Sequence, residues 1–109
     1  MSDVARTGIV DLDTETVAKG LEDDTILIVD VREPYEFAAG HIPGAVSLPL
    51  SEFDPAEIPT DTGKRIVFSC AAGVRSAKAL QIAQAAGLDL HEHYIGGFRG
   101  WTASGGDIE

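Results

Sequence analysis

Two short runs constrain this chain more than any other feature: Ile26-Leu27-Ile28-Val29-Asp30-Val31 and Ile66-Val67-Phe68-Ser69-Cys70. Both are rich in β-branched residues, and both are nearly continuous in apolar character. A strand with one wet face alternates apolar and polar residues. A near-continuous run belongs to a strand covered on both faces, as in a parallel sheet enclosed by helices.

The segment after the second run fits that arrangement. Between Ser76 and Ala86, Ala79, Ile82, Ala83 and Ala86 recur at i, i+3, i+4 and i+7, and Lys78, Gln81 and Gln84 take the other faces. Gly87 follows where a helix C-cap sits, so an amphipathic helix directly follows a buried strand. Upstream, Ile9-Val10 reads as a brief strand and Thr14 to Leu21 as a short helix with Asp13 as its N-cap. Pro34 suits the first turn of a helix from Pro34 to Ala39, closed by Gly40. Ala45 to Leu48 and His93 to Ile95 read as further strands, and Asp54 to Pro59 as a turn with two prolines. Strands alternating with helices predict an α/β domain around a mostly parallel sheet, with helices on both faces. At 109 residues the chain is long enough for one core and too short for two. The expectation is a single domain, 1–109, with its core at about 9–101 and a small, polar tail, Thr102 to Glu109, that frays.

The net charge of −10, with no Lys/Arg-rich run, speaks against binding nucleic-acid phosphates. The acidity suits a solvated surface or docking to a basic partner protein. No apolar run approaches the roughly 18 residues a membrane span requires. MSDVARTG lacks the pattern of an export signal, so the expected location is cytoplasmic. One cysteine makes neither an internal disulfide nor a multi-thiolate metal site. His91-x-His93 would share a strand face but lacks a third ligand, so both read as surface histidines; neither metal nor cofactor is expected.

Cys70 is the candidate for chemistry. It falls at the carboxyl end of its strand with a helix starting a few residues later, which is where ligands bind in open parallel sheets. Ala71, Ala72, Gly73 and Val74 are small or flexible, so successive backbone N–H groups can curl around the sulfur and join the orphan N–H groups of the first helical turn. Those donors favour thiolate over thiol and predict a pKa below the free value of about 8.5. Arg75 adds the loop's only side-chain cation, and the Ser76 hydroxyl can donate to sulfur or cap the helix. Local composition alone leaves packing and chemistry open, because a lone cysteine ending an apolar strand is often a core residue.

The wider sequence bears on that choice. Asp30-x-Arg32, Glu36-Phe37, Gly40-His41-Ile42-x-Gly44-Ala45 and Leu48-Pro49 resemble the signature of the rhodanese homology domain. Cys70-Ala71-Ala72-Gly73-Val74-Arg75-Ser76 looks like its active-site loop, and Gly96-Gly97 with Trp101 is similar to its closing segment. The resemblance runs from Ile9 to Trp101. The chain then ends GGDIE, where the family often continues to a Gly-Pro pair. The resemblance implies a rhodanese-like α/β fold and sulfur transfer: Cys70 takes a sulfane sulfur from a donor such as thiosulfate, holds it as a persulfide, and yields it to cyanide or a thiol. With no second cysteine in the chain, that sulfur must leave to an external acceptor.

Asp30, Arg32 and Glu36 are expected to form a polar network holding loops, His41 a strut, and Phe98 and Trp101 core. Three rivals remain. Family relatives resembling phosphatases and arsenate reductases carry Cys-x5-Arg, whereas the count from Cys70 to Arg75 gives Cys-x4-Arg, a tighter ring suited to one sulfur. A non-catalytic module would not require Cys70, Gly73 and Arg75 together. Sulfur delivery to a partner protein is compatible with the enzyme. With Arg75 as the loop's one cation, thiosulfate is expected to bind modestly, and a persulfide such as glutathione persulfide is the alternative donor.

Overall fold

The computed structural model describes residues 8–109. Apart from Gly8, the MSDVARTG segment lies outside the described residues. Five strands, β1 (Val10–Leu12), β2 (Ile26–Asp30), β3 (Val46–Ser47), β4 (Arg65–Ser69) and β5 (Glu92–Tyr94), form one sheet in the order β1-β5-β4-β2-β3. Every pairing is parallel. β2 and β4 are in register from Ile26↔Arg65 to Asp30↔Ser69, so the two apolar runs lie side by side at the sheet centre.

Four helices cover it: α1 (Thr14–Glu22), α2 (Pro34–Ala39), α3 (Val74–Ala85) and α4 (Gly97–Ala103). The period of two in a strand divides the core into two layers. Val29, Val31, Ile66, Phe68 and Cys70 pack with Ala79, Leu80 and Ala83 of α3. Ile26, Ile28 and Val67 pack on the other side with Val17 of α1, Tyr94 and Trp101 of α4. Both faces are covered, which is why the runs are apolar without alternation.

Most expected elements are present with ends shifted by a residue or two. Asp13 caps α1 by accepting from the Thr16 N–H at 2.9 Å. α2 starts at Pro34 and ends at Ala39, and α3 begins at Val74 rather than Ser76. The Asp54 to Pro59 segment holds a 3₁₀ turn, Pro55–Glu57, and a second one spans Leu50–Glu52.

Two expectations are corrected. The chain after Trp101 does not fray: Thr102 and Ala103 complete α4, the Trp101 indole N–H donates to the Asp107 carbonyl at 2.7 Å, and Glu109 exchanges backbone hydrogen bonds with His41. Small residues in this segment permit contact, because Gly106 lies directly against the indole ring. The second correction concerns His93, which is only 2% exposed. β5 is last in sequence but lies inside the sheet, between β1 and β4, where His93 meets Ser76 of α3 on one face and Tyr94 packs with Val17 and Trp101 on the other.

Candidate active site

β4 ends at Ser69, and the Val31 N–H donates to the Ser69 carbonyl at 2.9 Å, fixing the strand's end against β2. The next two carbonyls turn away from the helix. Cys70 O accepts from the Phe98 N–H at 2.7 Å and Ala71 O from the Arg99 N–H at 3.1 Å, so the first turn of α4 takes the loop's acceptors. Gly97 makes that approach possible. Its φ is +61° and an added Cβ would sit 2.5 Å from both carbonyl oxygens. Gly73, with φ +88°, reverses the loop into α3, and a Cβ there would meet the Ile95 carbonyl at 2.8 Å.

With its acceptors held outward, the loop directs donors inward. The Gly73 N–H donates to Cys70 Sγ at 3.1 Å, and Ser76 Oγ lies 3.5 Å from the sulfur. Cys70 is 1% exposed. Burial on its own pushes the thiol up, but hydrogen bonds from the Ser76 hydroxyl and from the backbone of Ser76, Ala72 and Gly73 outweigh it, so the pKa falls below the ordinary thiol value. Cys70, Ala72, Gly73 and Ser76 thus converge on one sulfur; Ala71 contributes its outward carbonyl, and Val74, 77% exposed, projects to solvent beside the loop.

Arg75 does not point a free charge at the sulfur. Its guanidinium donates to both oxygens of Glu36 on α2, at 2.7 and 3.1 Å. That hydrogen bonding is the main reason Glu36 is held well below the usual carboxylate range, at about 2, against a partial desolvation cost. The same contact raises Arg75, to which the Cys70 charge also contributes. The Glu36 carboxylate is thus paired with Arg75, and Glu36 joins the expected network with Arg32 through its backbone carbonyl, which accepts from Arg32 Nη1 at 3.4 Å.

Arg32 belongs to a separate, deeper pair. Its Nη2 donates to Asp30 Oδ2 at 2.7 Å and to the Gly40 carbonyl at 2.8 Å, and the guanidinium stacks 4.3 Å over the Phe98 ring. His41 stacks its ring on Phe37 with Nδ1 3.0 Å from the Phe37 carbonyl, and it links this turn to Glu109, whose Oε1 lies 3.6 Å from Nε2. Trp101 and Phe98 pack in the core layer with Tyr94.

One group was missed by sequence reasoning. His93 Nδ1 lies 2.8 Å from Ser76 Oγ and its Nε2 2.7 Å from Asp11 Oδ1. Asp11 is on β1, 82 residues away in sequence, and the only local signal was the alternation His91-Glu92-His93, which places Glu92 and His93 on opposite faces. A cavity of about 670 Å³ opens at the opposite end of the sheet, among Ile9, Thr60, Lys64 and Leu90, and includes none of the loop residues.

A parallel sheet order of this kind, with one cysteine in a donor-lined Cys-x4-Arg loop at a strand's carboxyl end, defines a class. The rhodanese-like domain model matches residues 13–104, and the chain belongs to that family. It is 40% identical over 91 residues to an uncharacterized protein, slr1261, of Synechocystis, and spans 84% of this chain and 51% of that protein. The chain thus covers about half the length of that relative. It is 34% identical to the thiosulfate:glutathione sulfurtransferase of Saccharomyces cerevisiae, over 81% of this chain and 73% of that one. The structure is similar to the human single-domain sulfurtransferase TSTD1, with a TM-score of 0.74, 30% identity and coverage of 88% and 97%. It is also similar to a Rhodopseudomonas palustris protein described as a possible tyrosine phosphatase, with a TM-score of 0.78, 33% identity and coverage of 93% and 85%.

No helix of the described residues is long and apolar enough to cross a membrane.

Proposed function

We propose that this protein is a sulfurtransferase whose nucleophile is Cys70. The Cys70 thiolate attacks the sulfane sulfur of its donor, forming a sulfur–sulfur bond as the donor's own bond to that sulfur breaks. With thiosulfate the electron pair leaves on sulfite, and the total charge of −3 is the same on both sides. The persulfide Cys70–S–S⁻ then gives its outer sulfur to an acceptor thiolate, regenerating the Cys70 thiolate. Thiolate and persulfide are both anions, so one ring of N–H donors serves both halves of the cycle.

The observation that carries this reading is the donor-lined sulfur: a Gly73 N–H at 3.1 Å and Ser76 Oγ at 3.5 Å around a side chain that is otherwise buried. Ala71, Ala72, Gly73, Val74, Arg75 and Ser76 bind the transferred sulfur, mostly through their backbone. The Arg75–Glu36 pair bears on the donor. A dianion such as thiosulfate, with its charge next to the transferred sulfur, must compete with Glu36 for the loop's one cation, while a persulfide brings a single charge at its reacting end and need not. The acceptor is a small thiol of the glutathione kind, in keeping with the yeast relative's name, or a thiol on a partner protein. The domain extends over the whole chain.

Intact-mass measurement after incubation with thiosulfate or glutathione persulfide tests the scheme. One sulfur atom is gained, removed by cyanide or thiol, and absent in Cys70→Ser. Hydrolysis of a phosphate ester with no sulfur gain would replace this reading with the phosphatase one.

A further inference from the structure

Behind Cys70 runs a line of polar contacts whose far members, His93 and Asp11, sulfur transfer as written above leaves unused. Ser76 of α3 lies 3.5 Å from the sulfur and 2.8 Å from His93 Nδ1 of β5, and His93 Nε2 lies 2.7 Å from Asp11 of β1. Ser76 is fully buried and His93 is 2% exposed, while the Asp11 side chain is 61% exposed. The line therefore leads from a buried sulfur to the solvent boundary.

Donor and acceptor rules allow two arrangements of these four groups. The Asp11 carboxylate only accepts, so Nε2 carries a proton in both. In the first, the Cys70 S–H donates to Ser76 Oγ and the Ser76 O–H donates to an unprotonated Nδ1. In the second, the Cys70 and Ser76 protons have each moved one place: Nδ1–H donates to Ser76 Oγ, and the Ser76 O–H donates to a Cys70 thiolate. The S–H bond breaks and the Nδ1–H bond forms, with Ser76 giving one proton and receiving another. Both new charges have partners, the thiolate in the Gly73 cradle and the imidazolium against Asp11.

The remaining neighbours do not disturb the pair. Phe68 of β4 is apolar and in register with His93. Arg75, next to Ser76, is bonded to Glu36, and Glu92 is paired with Arg65. His91 is bonded to Asp89 and to the Gly8 carbonyl. Tyr94 bonds Thr14 on the other side of the sheet.

We propose that Ser76, His93 and Asp11 form a proton relay that takes the Cys70 proton and holds it on His93 while the sulfur is a thiolate or persulfide. His93 and Asp11 are positioning residues, since both act through Ser76. The inference rests on Cys70 being the reacting thiol but not on sulfur being its cargo.

Alkylation of Cys70 by iodoacetamide, a neutral probe, across a range of pH separates these points. His93→Asn keeps a nitrogen near the Nδ1 position and loses the capacity to take a proton. Its rate near pH 6 is expected to fall about tenfold, the effect of a one-unit rise in thiol pKa. Above the ordinary thiol range its rate should rejoin that of the wild type, because every thiol is then ionised. Profiles that superimpose at all pH overturn the relay. A uniform loss at every pH makes His93 a packing residue and also overturns it. Asp11→Asn, at an exposed side chain, keeps the test open if His93→Asn does not fold: it should lower the rate near pH 6 about two- to threefold, the scale of an exposed charge pair, and an unmoved profile overturns the proposal. A relay that passes these tests in a protein that gains no sulfur would sink the sulfurtransferase reading alone.

Discussion

Two polar chains run through the sheet's carboxyl-end region, one buried throughout and one reaching the surface at Asp11, and they are built from different chemistry. One joins Asp30, Arg32 and the Gly40 carbonyl, with both charged side chains about 95% buried and Phe98 stacked on the guanidinium. The other joins Cys70, Ser76, His93 and Asp11. Arginine does not give up its proton in a protein, so the first chain has one arrangement. Thiol, hydroxyl and imidazole all exchange protons, so the second has two. The first chain ties the loop after β2 to α4, and the second ends at the Cys70 sulfur, the nucleophile of the proposed reaction. Location on one sheet edge does not assign a role; the capacity to move a proton does.

The largest effect on stability comes from breaking the fixed chain. Arg32→Ala leaves Asp30 charged, buried and without its partner, and should cost about 3–5 kcal/mol. Urea unfolding followed by circular dichroism measures this. At low temperature, the folded fraction should keep the wild-type pH profile of Cys70 alkylation. A changed profile would mean that the two chains are coupled and that the contrast between them is wrong.

Ser76→Ala breaks the exchangeable chain and should give the reverse pattern. It leaves His93 Nδ1 unpartnered in the core, at about 1–3 kcal/mol, less than the loss of Arg32. Reactivity suffers more. The sulfur loses its hydroxyl donor as well as the route to His93, so alkylation near neutral pH falls while the rate at high pH is retained. Equal rates at all pH would leave the backbone of the loop as the sole stabiliser of the thiolate.

The two chains also differ in how far each could be read from the sequence. The strand, the curled loop and α3 are local, so Cys70 and its donors are legible from a run of apolar residues, a glycine and a helical period. Asp30 and Arg32 are two residues apart and meet through the strand end. His93 meets Asp11 only because the last strand inserts between the first and the fourth, which neither residue's neighbours reveal. The alternation in β5 puts Glu92 and His93 on opposite faces, but a single sequence does not say that both faces are covered. The Arg75–Glu36 contact spans 39 residues, and here spacing alone misleads, because it supplied a loop cation without its counter-ion. α4 was hidden for a further reason: Gly96, Gly97 and Gly100 lower helix propensity, and contact with Tyr94 and the Cys70 loop overrides it.

The smallest effect tests that contact. Glu36→Gln keeps an oxygen able to accept from the Glu33 N–H, as Glu36 Oε1 does at 2.9 Å, and removes the charge that faces Arg75 together with the acceptor for Arg75 Nη2. Both side chains are partly exposed, so the loss near pH 7 should be about 0.5–1 kcal/mol. Its pH dependence carries the sign. The folded protein holds Glu36 at about 2, below the ordinary 4.5, so the pair's contribution is fully present above pH 4.5 and is lost as pH falls from there to about 2. Urea midpoints of wild type and Glu36→Gln should therefore converge over that window, and a constant gap would assign Glu36 to capping alone. Function should move the other way. Freed from Glu36, Arg75 can meet an anionic donor, so KM for thiosulfate falls while kcat and KM for a glutathione persulfide donor change little. An unchanged thiosulfate KM would mean that Arg75 braces α2 against the loop and takes no part in choosing the donor.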